Sequence, residues 1–248
     1  MPFCQKTFDF LFENHLEDNR DWFEAHKADY NSYVLEPFQQ LVTDLTPAML
    51  HIDNQFVTEP KVGRTLSRLR RDTRFTKDPS LYRDYMWLIF KRHKLYDREY
   101  PGIYFSVGGA GFDYGCGFYQ ASPSYMSVLR RLVLEDASSF QKAAEAFQKQ
   151  SCYHIEGECY KRPRFLQQPE YKRIWLERRN ICLVAESQDR DLLFSKDFSE
   201  KLEKNLKLLA PIYDFFLEAA IIEQQETAAT ASVQQHGLSS DEEWMGWE

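Results

Sequence analysis

Apolar and polar positions along the chain change rhythm several times, and each change predicts an element. Residues 8–16, FDFLFENHL, make an apolar turn or two, after which Asp18 or Asn19 can cap a helix starting near Arg20. Trp22, Phe23, His26, Lys27, Tyr30 and Val34 then recur at steps of three and four, the spacing of one helical face. Pro37 interrupts that face, and Phe38, Leu41, Val42 and Leu45 carry it on toward Pro47 and about His51. A polar linker runs from Asp53 to Pro60. From Val62 the rhythm becomes alternation, with Thr65, Ser67 and Leu69 between Arg64, Leu66, Arg68 and Arg70, which predicts a strand with polar groups on both faces. Asp78, Pro79 and Ser80 look like a helix start, and Leu81, Tyr82, Tyr85, Met86, Ile89 and Phe90 supply a buried face for a helix ending in KRHK.

The clearest local signal follows. GIYFSVG, a turn containing Gly108, Gly109 and Gly111, and FDYGCGFYQ read as a hairpin. The glycines do not make a dinucleotide fingerprint, because that loop must lead into a helix and here a second strand follows. Residues 122–134 and 136–150 predict two helices, CYHIEGECY a short strand or hairpin, 167–178 a helix, NICLVAES a buried strand, and Ser195 to Glu226 a long closing helix. After Thr227 the composition shifts to Ala, Thr, Ser and Gln and the chain ends in DEEWMGWE, so residues 227–248 are expected to be a flexible acidic and aromatic tail. The expected architecture for 1–226 is a single α+β domain with a small, mainly antiparallel sheet and a central hairpin flanked by helices.

Charge changes this picture in one place. The chain of 248 residues has a net charge of −7, yet from Lys61 to Arg98 twelve Lys or Arg face four Asp, a local +8 that leaves −15 for the remainder. A general nucleic-acid coat is usually basic overall or carries a broad basic stripe, so the asymmetry points to a focused pocket. Arginine presents a planar fork of donors suited to carboxylate and phosphate. The expected site is therefore for a small phosphorylated or carboxylated ligand, held by Arg68, Arg71, Arg74, Lys77 and Arg83, with Asp72 and Asp78 orienting guanidiniums and Tyr82 beside them. An internal ion-pair network is the competing account of the same residues. On a strand Arg68 and Arg71 point to opposite faces, so a bulge or turn near Asp72 is needed to gather them.

Three regions in the sequence carry a resemblance: NRDWFEAHKADY, RLRRDTRFTKDPSLYR, and GCGFY followed by LRRLV. They resemble DUF2461, a family of bacterial and fungal proteins of unknown function, and the likeness runs from about Phe8 to Ala219. The chain departs from the family pattern at Pro79, Leu81 and Phe165. The resemblance implies one α+β domain and no agreed activity.

Other chemistry is thinner. His26 is the weak candidate for a catalytic base, on a helix with apolar neighbours. Cys152, His154, Glu156, Glu158 and Cys159 do not follow a zinc spacing, an exposed strand accounts for them, and no metal is assigned. Cys116 is the best placed of five cysteines, though no nucleophile motif surrounds it. WMGW in the tail could serve as a docking peptide. No cofactor is identified. The odd number of cysteines at irregular spacing suggests free thiols, which together with the absence of a signal peptide or an apolar span makes the cytoplasm the expected compartment and a membrane association unexpected. Two further readings stand behind the anion site: a nucleic-acid-binding module in which Tyr82, Tyr85 or Trp87 stacks on bases, and an interaction protein docking an acidic partner.

Overall fold

The computed structural model describes residues 3–72, 74, 78–94, 100–109, 111–118 and 120–241, with side chains to residue 230. The chain starts with α1 (Gln5–Glu17), α2 (Arg20–Ala25) and α3 (Lys27–Tyr30), passes through a π-helical turn at Asn31–Leu35, and enters α4 (Glu36–Ile52). Asn19 caps α2 as its side chain predicts, its Oδ1 accepting from the backbone N–H of Asp21 and Trp22 at 2.7 and 3.2 Å. Pro37 falls in the first turn of α4, where a missing N–H costs nothing.

Three consecutive antiparallel strands follow: β1 (Tyr85–Lys91), β2 (Gly102–Gly108) and β3 (Gly111–Gly117). After α5 (Pro123–Leu134) and α6 (Ser138–Gln148) come β4 (His154–Glu156), α7 (Glu170–Leu176) and β5 (Cys182–Ser187). The chain closes with α8 (Arg190–Phe194), α9 (Phe198–Lys207) and α10 (Ala210–Asp241). The sheet has the order β1-β2-β3-β5-β4 and every pairing is antiparallel. The fold is thus a single α+β domain, as expected.

Alternation along the strands sorts the side chains. Met86, Leu88 and Phe90 of β1, Ile103, Phe105 and Val107 of β2, and Leu183 and Ala185 of β5 are buried on one face. Helices cover it: Phe105 meets Phe38 of α4 at 6.0 Å and Phe198 of α9 at 5.5 Å between ring centroids. Each such ring contributes about 1.5–3 kcal/mol through its burial. A second aromatic cluster joins α6, α7 and α10, where Trp175 sits edge-on to Phe140 and Phe215, at 5.9 Å from each.

Three expected elements differ, the first being the strand read from Val62, where only isolated bridges form. Residues 85–91 form a strand instead of the second half of a helix, because Asp78 closes a local turn: its Oδ1 accepts from Ser80 N and Oγ at 3.0 and 2.8 Å. The run YMWLIFK, with its aromatic and β-branched residues, then pairs with β2 along its whole length. The closing helix is also broken, since α9 ends at Lys207 and Pro211 occupies the first turn of α10, where it is tolerated, rather than a helix interior. That helix continues past the expected end at Glu226 to Asp241, while residues 242–248, with the WMGW motif, lie outside the described residues.

Candidate functional site

Residues 65–71 run along the outer edge of β1 without forming a regular strand. Ser67 N donates to Trp87 O at 2.9 Å, Trp87 N to Ser67 Oγ at 3.0 Å, and Ile89 N to Thr65 O at 2.9 Å. A side-chain oxygen replaces a carbonyl in this ladder, so only isolated bridges, Leu66 to Leu88 and Arg70 to Tyr82, remain. The segment then turns back on itself, with Arg71 N donating to Leu81 O at 2.7 Å and Arg83 N to Leu69 O at 3.1 Å. The α1–α2 corner locks onto this hairpin. Asp18 takes a left-handed conformation (φ 44°), and its Oδ1 accepts from Leu81 N at 2.7 Å and Tyr82 N at 3.0 Å. Phe23 stacks on Tyr82 at 5.2 Å.

The expected cations are divided between two sides of the hairpin. Arg71 Nη1 lies 3.0 Å from Asp78 Oδ2. Arg74 donates from Nε and Nη2 to the two oxygens of Asp72 at 2.9 and 2.7 Å, and these bonds bring the Asp72 carboxyl down to about 2. Arg83 serves the backbone, its Nη1 donating to Arg68 O at 2.8 Å and Arg70 O at 3.3 Å, while its guanidinium carbon sits 4.9 Å from the centre of the Trp87 ring. Lys77 lies outside the described residues. Arg68 and Arg70, two apart in sequence, share a side and line a groove of about 360 Å³ with Arg20 from α2. Arg71 and Arg74 do not line it.

Among the described residues Arg20, Arg68 and Arg70 have no ion pair. Glu24 is the groove's one carboxylate, and Lys27 Nζ holds it at 2.9 Å. Tyr30 and Tyr82 line the inner end; burial pushes the Tyr30 hydroxyl up to about 12 and raises that of Tyr82, so both remain neutral donors. Arg20 was not among the expected residues. The three-four spacing of Arg20, Phe23 and Glu24 shows that they share a helical face, but not what that face meets.

A larger concavity occupies the sheet face that none of the described helices covers, with a volume of about 630 Å³. Strand register builds it in rows: Trp87, Ser106, Asp113 and Glu186 are successive partners across β1, β2, β3 and β5, and Ile89, Tyr104, Gly115 and Val184 form the next row. Tyr85 and Trp87 are stacked at 5.7 Å on one wall. Beneath Tyr104 the sheet needs Gly115, because a Cβ there would lie 1.9 Å from Leu183 O and 3.0 Å from the Tyr104 ring. Burial raises the Asp113 carboxyl above its ordinary value; hydrogen bonds from Tyr104 and Ser106 oppose that, and the charges of Glu186 and Glu156 add to it.

The remaining candidates have structural partners. The ring of His26 stacks on Trp22 at 4.0 Å and its Nδ1 donates to Trp22 O at 2.8 Å. His154 pairs with Glu156 at 2.9 Å, Glu158 with Arg179 at 2.6 Å, and Cys152 Sγ contacts the Tyr114 hydroxyl at 3.2 Å. Among the described residues no three His, Cys, Asp or Glu side chains are grouped to hold a metal ion. Cys116 is buried on the helix side of the sheet, where desolvation raises its thiol and keeps it protonated. No helix among the described residues is long and apolar enough to cross a membrane.

Comparison with known proteins agrees with the motifs. The model of DUF2461, described as a conserved hypothetical protein, matches residues 6–215, and the chain belongs to that family. No curated protein and no solved structure matches it.

Proposed function

We propose that this DUF2461 member binds a small phosphorylated or carboxylated molecule in the groove walled by Arg20, Arg68 and Arg70. The observation that carries the reading is the charge balance of that concavity: three guanidiniums without an ion pair among the described residues, beside one carboxylate already held by Lys27. Guanidiniums facing a common space repel one another, and an anion accepting their donors relieves that repulsion with charge-assisted hydrogen bonds. The neutral hydroxyls of Tyr30 and Tyr82 would add donors. A groove of about 360 Å³ is at the small-molecule end of the usual range. Arg71, Asp72, Arg74 and Asp78 then belong to the support of the hairpin. Five free cysteines suit a reducing, cytoplasmic setting for such a protein.

The nucleic-acid alternative has less support, since Tyr82 is buried under Phe23 and Trp87 lies on a wall shared with acidic residues. Thermal melts in pyrophosphate and in citrate test the anion reading. At a hundred times its dissociation constant a ligand stabilises the fold by about 2.7 kcal/mol, which a melt resolves. The expected result is a rise in Tm with at least one probe, lost in Arg68→Ala/Arg70→Ala. No shift with either probe, or a shift that survives the double substitution, overturns the reading.

A further inference from the structure

The open-face cavity has chemistry opposite to that of the groove. Its walls contribute three carboxylates, Asp84, Asp113 and Glu186, and among the described residues no lysine, arginine or histidine lines it. Arg83 touches the wall by covering a face of Trp87, but its Nη1 is committed to the carbonyls of Arg68 and Arg70. Beside the acids stand the stacked rings of Tyr85 and Trp87, and Tyr104, which covers the backbone at Gly115, also lines the cavity. The cavity volume of about 630 Å³ fits a molecule the size of a typical metabolite.

We propose that this cavity is a second binding site, for a small organic cation: an amine or ammonium group carried on a flat or apolar body. Two features of the cavity select that class. Its carboxylates would pair with the positive group, and its aromatic walls attract a cation and pack against an apolar body. Asp113 and Glu186 are cross-strand partners, so their charges are held side by side and repel each other unless a proton or a cation comes between them. Burial is the main cause that raises the Asp113 carboxyl, and the charge of Glu186 adds to it. The acidic lining separates this site from the groove.

Calorimetric titration of the full chain with phenethylamine, with its neutral counterpart 2-phenylethanol, and with glucose tests the proposal. Phenethylamine is expected to bind at least tenfold more tightly than 2-phenylethanol, and to weaken as salt rises. Asp113→Asn and Glu186→Gln, which keep shape and remove charge, are each expected to reduce that preference to less than threefold. Glu135→Gln, an exposed carboxylate outside the cavity, is expected to leave it unchanged. Tighter binding of glucose or of the alcohol, an amine affinity indifferent to both cavity substitutions, or no amine binding at the highest concentration the titration reaches overturns the assignment. Should a cavity variant fail to fold, the ranking of the three probes on the unaltered protein decides the matter alone.

Discussion

The arginine groove and the open-face cavity lie on either side of one edge hairpin, and they are built in different ways. The groove takes two of its cations from a three-residue stretch, Arg68 and Arg70 with Leu69 between them, and borrows the third from α2. The cavity draws its acids from Asp84 before β1, Asp113 on β3 and Glu186 on β5, which meet only through sheet register. One depends on side chains displayed along an edge, the other on the backbone geometry beneath it. Mutations should therefore affect them unequally.

Gly115→Ala is the most damaging change expected. The added methyl would fall 1.9 Å from Leu183 O, so β3 and β5 must part or the sheet must distort, at a cost of about 3 kcal/mol or more in a denaturant melt. A melt unchanged by that substitution would break the claim that backbone packing makes the cavity. Asp18→Ala comes next. It removes the acceptor for Leu81 N and Tyr82 N, and the loss of two charge-assisted bonds is expected to cost about 2 kcal/mol while weakening anion binding in the groove.

Asp113→Asn sharpens the contrast through pH. Because the folded carboxyl is raised, the unfolded chain gives up its proton first as pH climbs, and the native protein loses stability from about 3.8 up to the folded value. The asparagine variant lacks this loss, so it should gain on the unaltered protein above the ordinary carboxylate range and match it below, in melts taken across a pH series. Arg68→Ala/Arg70→Ala should move stability by less than about 0.5 kcal/mol per site, as exposed side chains without ion pairs do, while removing the anion response. Smallest of all, Arg74→Ala is expected to leave Tm unchanged, because its pairing with Asp72 is on the surface and screened by solvent.

Much of the helical framework was readable from period and caps, and the central hairpin from its glycines. The error at β1 is more instructive. A half-buried strand normally announces itself by apolar and polar alternation, but here Tyr85, Trp87 and Ile89 are on the open face and Met86, Leu88 and Phe90 on the core face. Both sides look apolar because the open side lines a cavity, so the residues that make the cavity also hid the strand. For the arginines, alternation predicted that Arg68 and Arg70 share a side and that Arg71 leaves it. What sequence could not show was Arg20, some fifty residues upstream, or the row that sets Asp113 beside Glu186, since both rest on long-range contacts rather than on local spacing.

Arg83 gives the two concavities a mechanical connection. Its guanidinium holds the carbonyls of Arg68 and Arg70 with one nitrogen and rests on Trp87 at the same time. A guest that displaced it from the ring would loosen the backbone on which the groove's arginines are mounted. Occupancy on one side of the hairpin would then change affinity on the other, and thermodynamic linkage requires the effect to be equal in both directions.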